Sequence, residues 1–598
     1  MFLSSLLFAA GLLVAETPDT LQAVTIVADK GVVVSRTDTV ALRTGGTAAE
    51  TLLRIPGLSL SDYGGLAGLK GVSLRGLGTA HTDIYLDGVR VSNFQSGQND
   101  LGMLPVETLG SAVVDYAQNS VSFRTARPSF GSSLFAGQVG LQAGSFGTWM
   151  PAVRFDVKAS ERVALSAHAA GIVSNGNFPY GDAGARRSGN DIKQIRAGYD
   201  VFGTMDRGEW HLKTYVNASD RGTPGSLSWP SEDRQADKDL VVQGTLRKAF
   251  TDRYTLNLSA KGAWDDIYYK SAWGDSDYDF SDFQLNSSHT FRLTSWWGLS
   301  LAADLERGTL HASYYDAART AAIAALASAF RFERLIIDLA LQYNGTFDKG
   351  AEALHSLSPS LDLRYTLFDG FDLVAFGRRA FRAPTFNELY YPGYGNPDLK
   401  PEDAWLTDVG LDWHPSISDA WTLGAKADFF YNRLKDKITS APSADDPYVW
   451  LPYNIGRVEA KGADASVSLR YDDGRIAGGL SARYAWQSAL DKTPDSYTFD
   501  QQIPYVARHT AVLAGDFSVA GWRLDALLNW RGGRFDASGE MPDWHTLDLS
   551  LRKDITLPRV GLLSLNVAVK DLLDCRYELV RDYPMPGRSV LGGFTFKF

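Results

Sequence analysis

The chain has 598 residues and carries 59 Lys and Arg against 69 Asp and Glu, a net charge of −10. That balance gives no general attraction for a phosphate backbone and argues against nucleic acid as a partner. The one cysteine, Cys575, excludes an intrachain disulfide and any thiolate cluster built from this chain alone. With 57 Gly, 15 Trp, 26 Tyr and 30 Phe, the composition favours a large β protein over a helical one.

At the amino terminus, Leu3 to Ala15 is an apolar stretch ending in small residues before the polar run Glu16 to Thr20. This is the pattern of a secretory signal peptide spanning 1–15, although only the terminal amine supplies positive charge ahead of it. The alternative, a buried helix, would show a polar face, and this stretch shows almost none. No later run reaches the roughly 18 apolar residues a spanning helix needs, so a helical membrane protein is excluded and a β-barrel one is not.

From the second quarter onward the chain alternates with period two. Tyr254, Leu256, Leu258, Ala260 and Trp264 interleave with Thr255, Asn257, Ser259 and Lys261. Trp421, Leu423, Ala425, Ala427, Phe429 and Tyr431 interleave with mostly polar partners. Leu547, Leu549 and Leu551, and then Leu563, Leu565, Val567 and Val569, repeat the pattern near the carboxyl end. Such strands have one apolar and one polar face, which suits a soluble sandwich as well as a barrel. Segments of about ten residues, aromatic residues at segment ends and long polar connections favour the membrane barrel. If the barrel starts near Leu134, about 465 residues remain, enough for 22 strands of about ten spanning residues each with connections, or for sixteen with longer loops. A 22-stranded lumen needs a plug, and the first 130 or so residues, glycine-rich and without sustained alternation, suit one.

Ile55-Pro56-Gly57-Leu58-Ser59-Leu60, then Val72 to Gly78 (VSLRGLG), then Thr82 to Val91 (TDIYLDGVRV) resemble, in order and spacing, the plug of TonB-dependent outer-membrane receptors. Arg379 to Tyr390 (RAFRAPTFNELY) with Gly395 to Glu402 (GNPDLKPE) resembles a barrel stretch of that family, and Val569 to Asp574 with Pro586-Gly587-Arg588 and Phe594 to Phe598 resembles its last two strands. The usual Arg-Gly-Pro closing the plug is absent, and Val114 to Asn119 (VDYAQN) stands there instead. The resemblance implies an all-β transmembrane barrel of 22 antiparallel strands with an N-terminal α+β plug domain inside the lumen. The domains are then a signal peptide over 1–15, an N-terminal segment over 16–40, the plug over 41–133 and the barrel over 134–598. It further implies a monomer in the outer membrane of a Gram-negative bacterium, in contact with outer-membrane lipid.

The same resemblance assigns roles. Asp19, Thr20, Leu21, Val24, Thr25, Ile26, Val27 and Ala28 match the TonB box, which adds a strand to a periplasmic energy-coupling protein of the TonB type; the overlapping alternative is a first plug strand. Ligand contacts are expected from two plug loops, at Tyr63, Gly64 and Leu66 and at Asn93, Phe94, Gln95, Ser96 and Asn99, which combine glycine freedom, amides and aromatic faces suited to a large neutral ligand. Tyr390, Tyr391 and Tyr394 either line the same vestibule or belong to an aromatic girdle. In the plug, Arg75, Asp87 and Arg90 either form buried ion pairs or are surface charges.

Asp275-Ser276-Asp277-Tyr278-Asp279 resembles the start of a calcium loop, but Phe280 stands where an EF-hand needs Gly and Asn286 where it needs Glu. A looser structural calcium site at Asp275, Asp277 and Asp279, with Asp182, Asp191 or Asp233, stays open; no other cofactor is required. The nine histidines are scattered, and no nucleophile elbow, Walker loop or dinucleotide fingerprint appears, so no enzyme chemistry is expected. Phe381 to Glu402 contains no histidine, which counts against haem. The plug around Leu74 to Val91 and the ending Tyr577 to Arg588 look most like the cobalamin (vitamin B12) receptors. TonB-dependent uptake of cobalamin or a related corrinoid is therefore expected, with a surface lipoprotein as an optional partner. A ferric-siderophore, haem or other metal-chelate receptor is the alternative, and a passive porin or adhesin barrel, or a secreted β-sandwich protein, would be a different class.

Overall fold

The computed structural model describes residues 36–42, 47–55, 57–91, 93–181, 184–443, 450–536 and 538–598. The proposed signal peptide and Asp19 to Ala28 lie outside them, as do Ser92 and Asp182. Twenty-two strands close into one antiparallel barrel, from Phe135–Gly144 to Ser589–Lys597. The last strand pairs with the first, from Leu591 opposite Gly144 to Lys597 opposite Gln138, so the sheet has no free edge. No helix among the described residues is long and apolar enough to cross a membrane.

The two faces are assigned as a lipid-embedded cylinder requires. In the strand Tyr254–Lys270, Asn257, Ser259 and Lys261 are buried, while Leu258 and Trp264 are exposed. Polar side chains inside and apolar ones outside invert the arrangement of a soluble sandwich, because the apolar flank faces hydrocarbon. Aromatic rings edge the apolar band, as where Trp421 meets Tyr471 at 4.9 Å between ring centres. Short connections such as Ser160 to Val163 mark one rim, and long ones such as 571–588 mark the other, the external rim.

The lumen is filled by the chain's own first quarter. Strands β1 (Thr37–Ala41), β2 (Leu58–Asp62), β3 (Lys70–Leu74), β4 (Asp83–Leu86), β5 (Val89–Val91), β6 (Leu109–Asp115) and β7 (Ser120–Thr125) form a five-stranded sheet in the order β1-β6-β7-β4-β5 and the separate hairpin β2-β3. The short helix α1 (Ala48–Leu52) is started by a capping box between Thr47 and Glu50. Leu52, Ile55, Leu74, Leu86, Val121 and Phe123 make the plug core, which continues into Phe430 and Leu434 of the barrel wall. One boundary shifts: β1 begins inside the segment expected to precede the plug. Its five residues pair with β6, from Thr37 opposite Asp115 to Ala41 opposite Ser111, which makes them an edge of the plug sheet.

Candidate functional site

The plug surface facing the external rim is held by two clamps. The first is built on α2 (Phe386–Tyr390), which opens after Pro384 with a capping box: Thr385 Oγ1 accepts from the Glu388 amide at 3.2 Å, and the Glu388 carboxylate accepts from the Thr385 amide at 2.7 Å. This cap turns the first amides of α2 toward the plug, where Phe386 N–H donates to Phe94 O at 2.8 Å and Asn387 N–H to Gln95 O at 3.0 Å. Phe94 is packed among Phe280, Leu310 and Phe386. The Arg319 guanidinium lies over the rings of Phe94 and Phe386, 5.5 and 5.1 Å from their centres, and is fixed by two 2.7 Å bonds to Asp348. Gly308 makes this possible, since a Cβ there would overlap the Phe94 ring.

The expectation that Phe94 offers a face to ligand is therefore corrected: its ring is a plug-to-wall anchor. Asn93 is also turned away, its amide donating to Gln98 O at 2.9 Å and accepting from Ser96 N–H at 3.0 Å. Ser96 is exposed, and Gln95 and Asn99 are half-buried, so these three remain at the surface of the loop. Tyr390 donates to Asp348 at 3.0 Å, and Tyr394 shares a 2.8 Å hydrogen bond with Ser440. Tyr391 is the most available of the three tyrosines, and it lies against Tyr314 and Tyr315 at about 6 Å ring separation. Tyr314 and Tyr315, on the connection after Trp297–Ala312, were not legible from sequence, because only the closed barrel brings that hairpin beside α2.

The second clamp holds the loop after β2. Asp62 accepts from Gly64 N–H at 2.9 Å and faces the Lys70 ammonium at 3.4 Å, while Lys70 also donates to Gly68 O at 2.8 Å. Burial pushes the Asp62 carboxyl up to about 6, against the opposing pull of Lys70. Gly64 O accepts from Asn190 at 3.0 Å, and the Tyr63 ring meets Tyr583 edge-on at 4.9 Å. Leu66 packs against Ala67, Ile172 and Ile192. Above it, the long connection 571–588 ties several external loops together: Leu227 N–H donates to Asp582 O at 2.9 Å, Arg576 to Pro179 O at 3.0 Å and Arg581 to Gly539 O at 3.1 Å.

Deeper in the lumen, ion pairs join the plug to the wall. Arg75 sits in the left-handed region, at φ 47°, just before Gly76, and is buried. Its guanidinium pairs with Asp408 at 2.7 Å and Asp464 at 3.0 Å and lies between the rings of Tyr116 and Phe430, 4.3 and 4.4 Å from their centres. Arg36 pairs with Asp412 and Asp428. Asp87 accepts from the Thr125 amide and hydroxyl at 2.7 and 2.6 Å and faces Lys213 at 3.6 Å. Arg90 pairs with Asp83 at 2.8 Å and more distantly with Glu306. Arg75, Asp87 and Arg90 are thus all ion-paired, but not with one another; their partners lie mostly on barrel strands. The wall carboxylates have a faint sequence signal, an Asp at an inward position of an alternating strand, as at Asp408 between Thr407 and Val409.

The calcium expectation is not met by the arrangement of the carboxylates. Asp275, Asp277 and Asp279 are exposed, spaced two apart on the outward side of the strand Ser276–Arg292 and its preceding turn, while Ser276 and Phe280 point inward. Spaced about 7 Å apart along the backbone, the three residues are strung out in a row and not gathered around one point. Asp275 instead accepts from Tyr268, Asp233 from Tyr269 at 2.8 Å, and Asp191 from Arg234 at 3.1 Å. Among the described residues no three His, Cys, Asp or Glu side chains are gathered as a metal-ligand set.

Residues 26–128 match the family model described as TonB-dependent Receptor Plug Domain, and residues 86–572 match the model described as TonB dependent receptor-like, beta-barrel. Among curated proteins, the vitamin B12 transporter BtuB of Vibrio vulnificus is 23% identical over 596 residues, covering 92% of this chain and 90% of that one. The vitamin B12 transporter BtuB of Photobacterium profundum is 22% identical, covering 92% and 89%. Solved structures with the same fold include the FrpB iron transporter from Neisseria meningitidis, with a TM-score of 0.77 at 13% identity covering 94% of this chain and 99% of that one. The copper transporter OprC has a TM-score of 0.75 at 16% identity, with the same coverage. The chain belongs to the TonB-dependent receptor family and is a plugged β-barrel transporter of the Gram-negative outer membrane.

Proposed function

We propose that this receptor takes up cobalamin or a related corrinoid, driven through a TonB-type coupling protein that engages Asp19 to Ala28. The observation that carries the cargo assignment is full-length similarity: relatives named for vitamin B12 transport align over about nine-tenths of both chains. The plug geometry is compatible with it. The apex between the two clamps offers the side chains of Gln95, Ser96 and Asn99 and the half-buried ring of Tyr391, polar and aromatic groups without a concentration of charge. With the lumen filled and the plug ion-paired to the wall, passage requires work, and the chain carries no nucleotide-binding motif. That work comes from the inner-membrane proton gradient through the coupling partner.

A ferric or other metal-chelate cargo is the second reading, favoured by the phenol cluster of Tyr314, Tyr315 and Tyr391 beside α2. Equilibrium binding of the purified receptor to cyanocobalamin, haem and ferric chelates, measured side by side, tests the assignment. Saturable cobalamin binding with weak or no binding of the others is expected, and preferential chelate binding would replace the first reading by the second.

A further inference from the structure

Two arginines near the external rim are buried without a carboxylate to match their charge. Arg531 ends the barrel strand Trp522–Arg531 on its inward row, and past Gly532 and Gly533 the chain enters a small hairpin, Arg534–Asp536 paired with Gly539–Met541. Both Arg531 and Arg534 are 5% exposed. Arg531 Nη2 donates at 3.1 Å to Leu53 O, the carbonyl that ends α1 in the plug. Arg534 donates from Nη1 to Pro542 O at 3.3 Å and from Nη2 to Glu578 O. Carbonyls satisfy these hydrogens but leave the charge unmatched, and Arg531 Nη1 has no hydrogen-bond partner among the described residues. A buried cation in that condition is costly unless an anion sits beside it.

The acids of the surrounding elements are engaged elsewhere. Across the sheet Arg531 is opposite Thr510 and Trp544, and Asn529 precedes it on its own inward row, all three neutral. Asp548, four residues further along the strand Trp544–Leu557, accepts from Asp571 N–H at 2.8 Å. On the plug side Glu50 pairs with Lys570 at 2.6 Å, and the charge of Arg54 acts on Asp548. Around the hairpin, Asp536 pairs with Arg581, Asp543 accepts from Trp530 Nε1 at 3.2 Å, and Glu540 is exposed. Glu578 is the acid that bears on Arg534, but its carboxylate accepts from Asp582 N–H at 2.9 Å. Among the described residues neither arginine forms an ion pair. The charge that acts on Arg531 is that of Arg534, which repels it. With Glu578 counted in full, two guanidiniums against one carboxylate still leave one positive charge over.

We propose that Arg531 and Arg534 form a binding site for a small tetrahedral oxyanion, inorganic phosphate or sulfate, between the end of α1 and the Arg534–Met541 hairpin. A guanidinium presents N–H groups in a planar fork that suits the oxygens of one oxyanion and gives a spherical halide no such match. Because Arg531 also holds Leu53 O, the anion joins plug, barrel wall and external hairpin at one point, and the attachment of α1 becomes dependent on an ion drawn from the medium. A cation at the carbonyl end of a helix is the simpler role for Arg531. That role accounts for Nη2 only, and α1 is just five residues long. The site includes none of the residues assigned to the cargo, so it stands whichever cargo is carried.

Equilibrium dialysis of the full-length receptor in non-ionic detergent against radiolabelled inorganic phosphate tests it, with sulfate and chloride as competitors. One phosphate per chain is expected, displaced by sulfate and not by chloride at the same concentration. Arg531→Met and Arg534→Met should each weaken phosphate at least about tenfold, since each removes a charged donor. Arg588→Met, which alters an exposed cation on the connection 571–588, should leave it unchanged. Hydrogen exchange gives a second reading: phosphate should slow exchange in residues 47–55 of the parent and have no such effect in Arg531→Met, whereas a purely structural arginine would make exchange in the parent indifferent to phosphate. Heat-modifiable gel migration verifies that each variant is a closed barrel, and Arg531→Lys, which keeps the charge and loses the fork, stands in for a variant that is not. Absence of bound phosphate in the parent, unchanged affinity in Arg531→Met and Arg534→Met, or displacement by chloride as effective as by sulfate would overturn the proposal.

Discussion

Replacing Arg75 by Met keeps most of the side-chain volume and removes the charge that two wall carboxylates share. Asp408 is fully buried at its carboxylate and Asp464 nearly so, so neither recovers hydration when the guanidinium is lost. Removing one partner of a buried pair costs about 3–5 kcal/mol, because the remaining charge is left uncompensated. Local opening of the plug around β3 should then become about a hundredfold to a few thousandfold more frequent. Hydrogen exchange followed by mass spectrometry reads this directly: amides of β2, β3 and the turn at Arg75, whose own N–H bonds Gly57 O at 3.2 Å, should exchange faster while barrel strands do not. Adding Asp408→Asn and Asp464→Asn to Arg75→Met removes the orphaned charges, and at least half of the lost protection should return. Protection in Arg75→Met equal to that of the parent would refute the view that these pairs hold the plug to the wall.

Three further outcomes follow from the same geometry. Gly308→Leu forces a side chain into the space of the Phe94 ring, and overpacking of about 1–3 kcal/mol should appear as faster exchange in residues 93–99 with barrel closure retained. For Asp62 the folded carboxyl, at about 6, lies above its usual value, so the native plug binds the extra proton. Stability of the β2–β3 hairpin should therefore rise as pH falls from 7 toward 4, by an amount on the order of 2–3 kcal/mol at most; exchange corrected for intrinsic rates measures it, and Asp62→Asn should abolish the dependence. Deleting Asp19 to Ala28 should leave equilibrium binding of cobalamin intact and abolish its uptake by cells, and persistence of uptake would show that coupling runs through another segment.

The barrel was legible because one physical rule, polar in and apolar out, is written into every second residue of strands such as Tyr254–Lys270. Strand ends were less so: Trp421–Pro442 runs well past Tyr431, since the wall above the apolar band continues as hydrogen-bonded sheet without needing alternation. Plug blocks such as VSLRGLG were recognisable, yet the partners of their charges were not. Arg75 is separated from Asp408 by 333 positions, and nothing local distinguishes that Asp from another lumenal one. Phe94 misled for a related reason. An aromatic residue in a polar, glycine-containing loop suits a ligand contact, and only Gly308 and Arg319, more than 200 residues away, reveal that its ring is already covered.

The order of the plug's attachments along the chain gives the coupling force a sequence of barriers. Among the described residues, tension applied from the amino-terminal side meets Arg36 first, paired with Asp412 and Asp428 and accepting the Tyr116 amide at 3.0 Å through its carbonyl. Next comes Asp38, facing Lys426 and Arg483 at 3.4 Å each and accepting from Tyr116 Oη at 3.1 Å. Arg36 immediately precedes β1 and Asp38 lies on it; β1 is the edge of the plug sheet, and its five pairs with β6 lie in a row and can part from one end. Tyr116, which both contacts share, also lies under Arg75. Detaching β1 therefore loosens one wall of the Arg75 site before any force reaches β3, and the buried pairs that make the resting plug tight become the ones that its first strand can release.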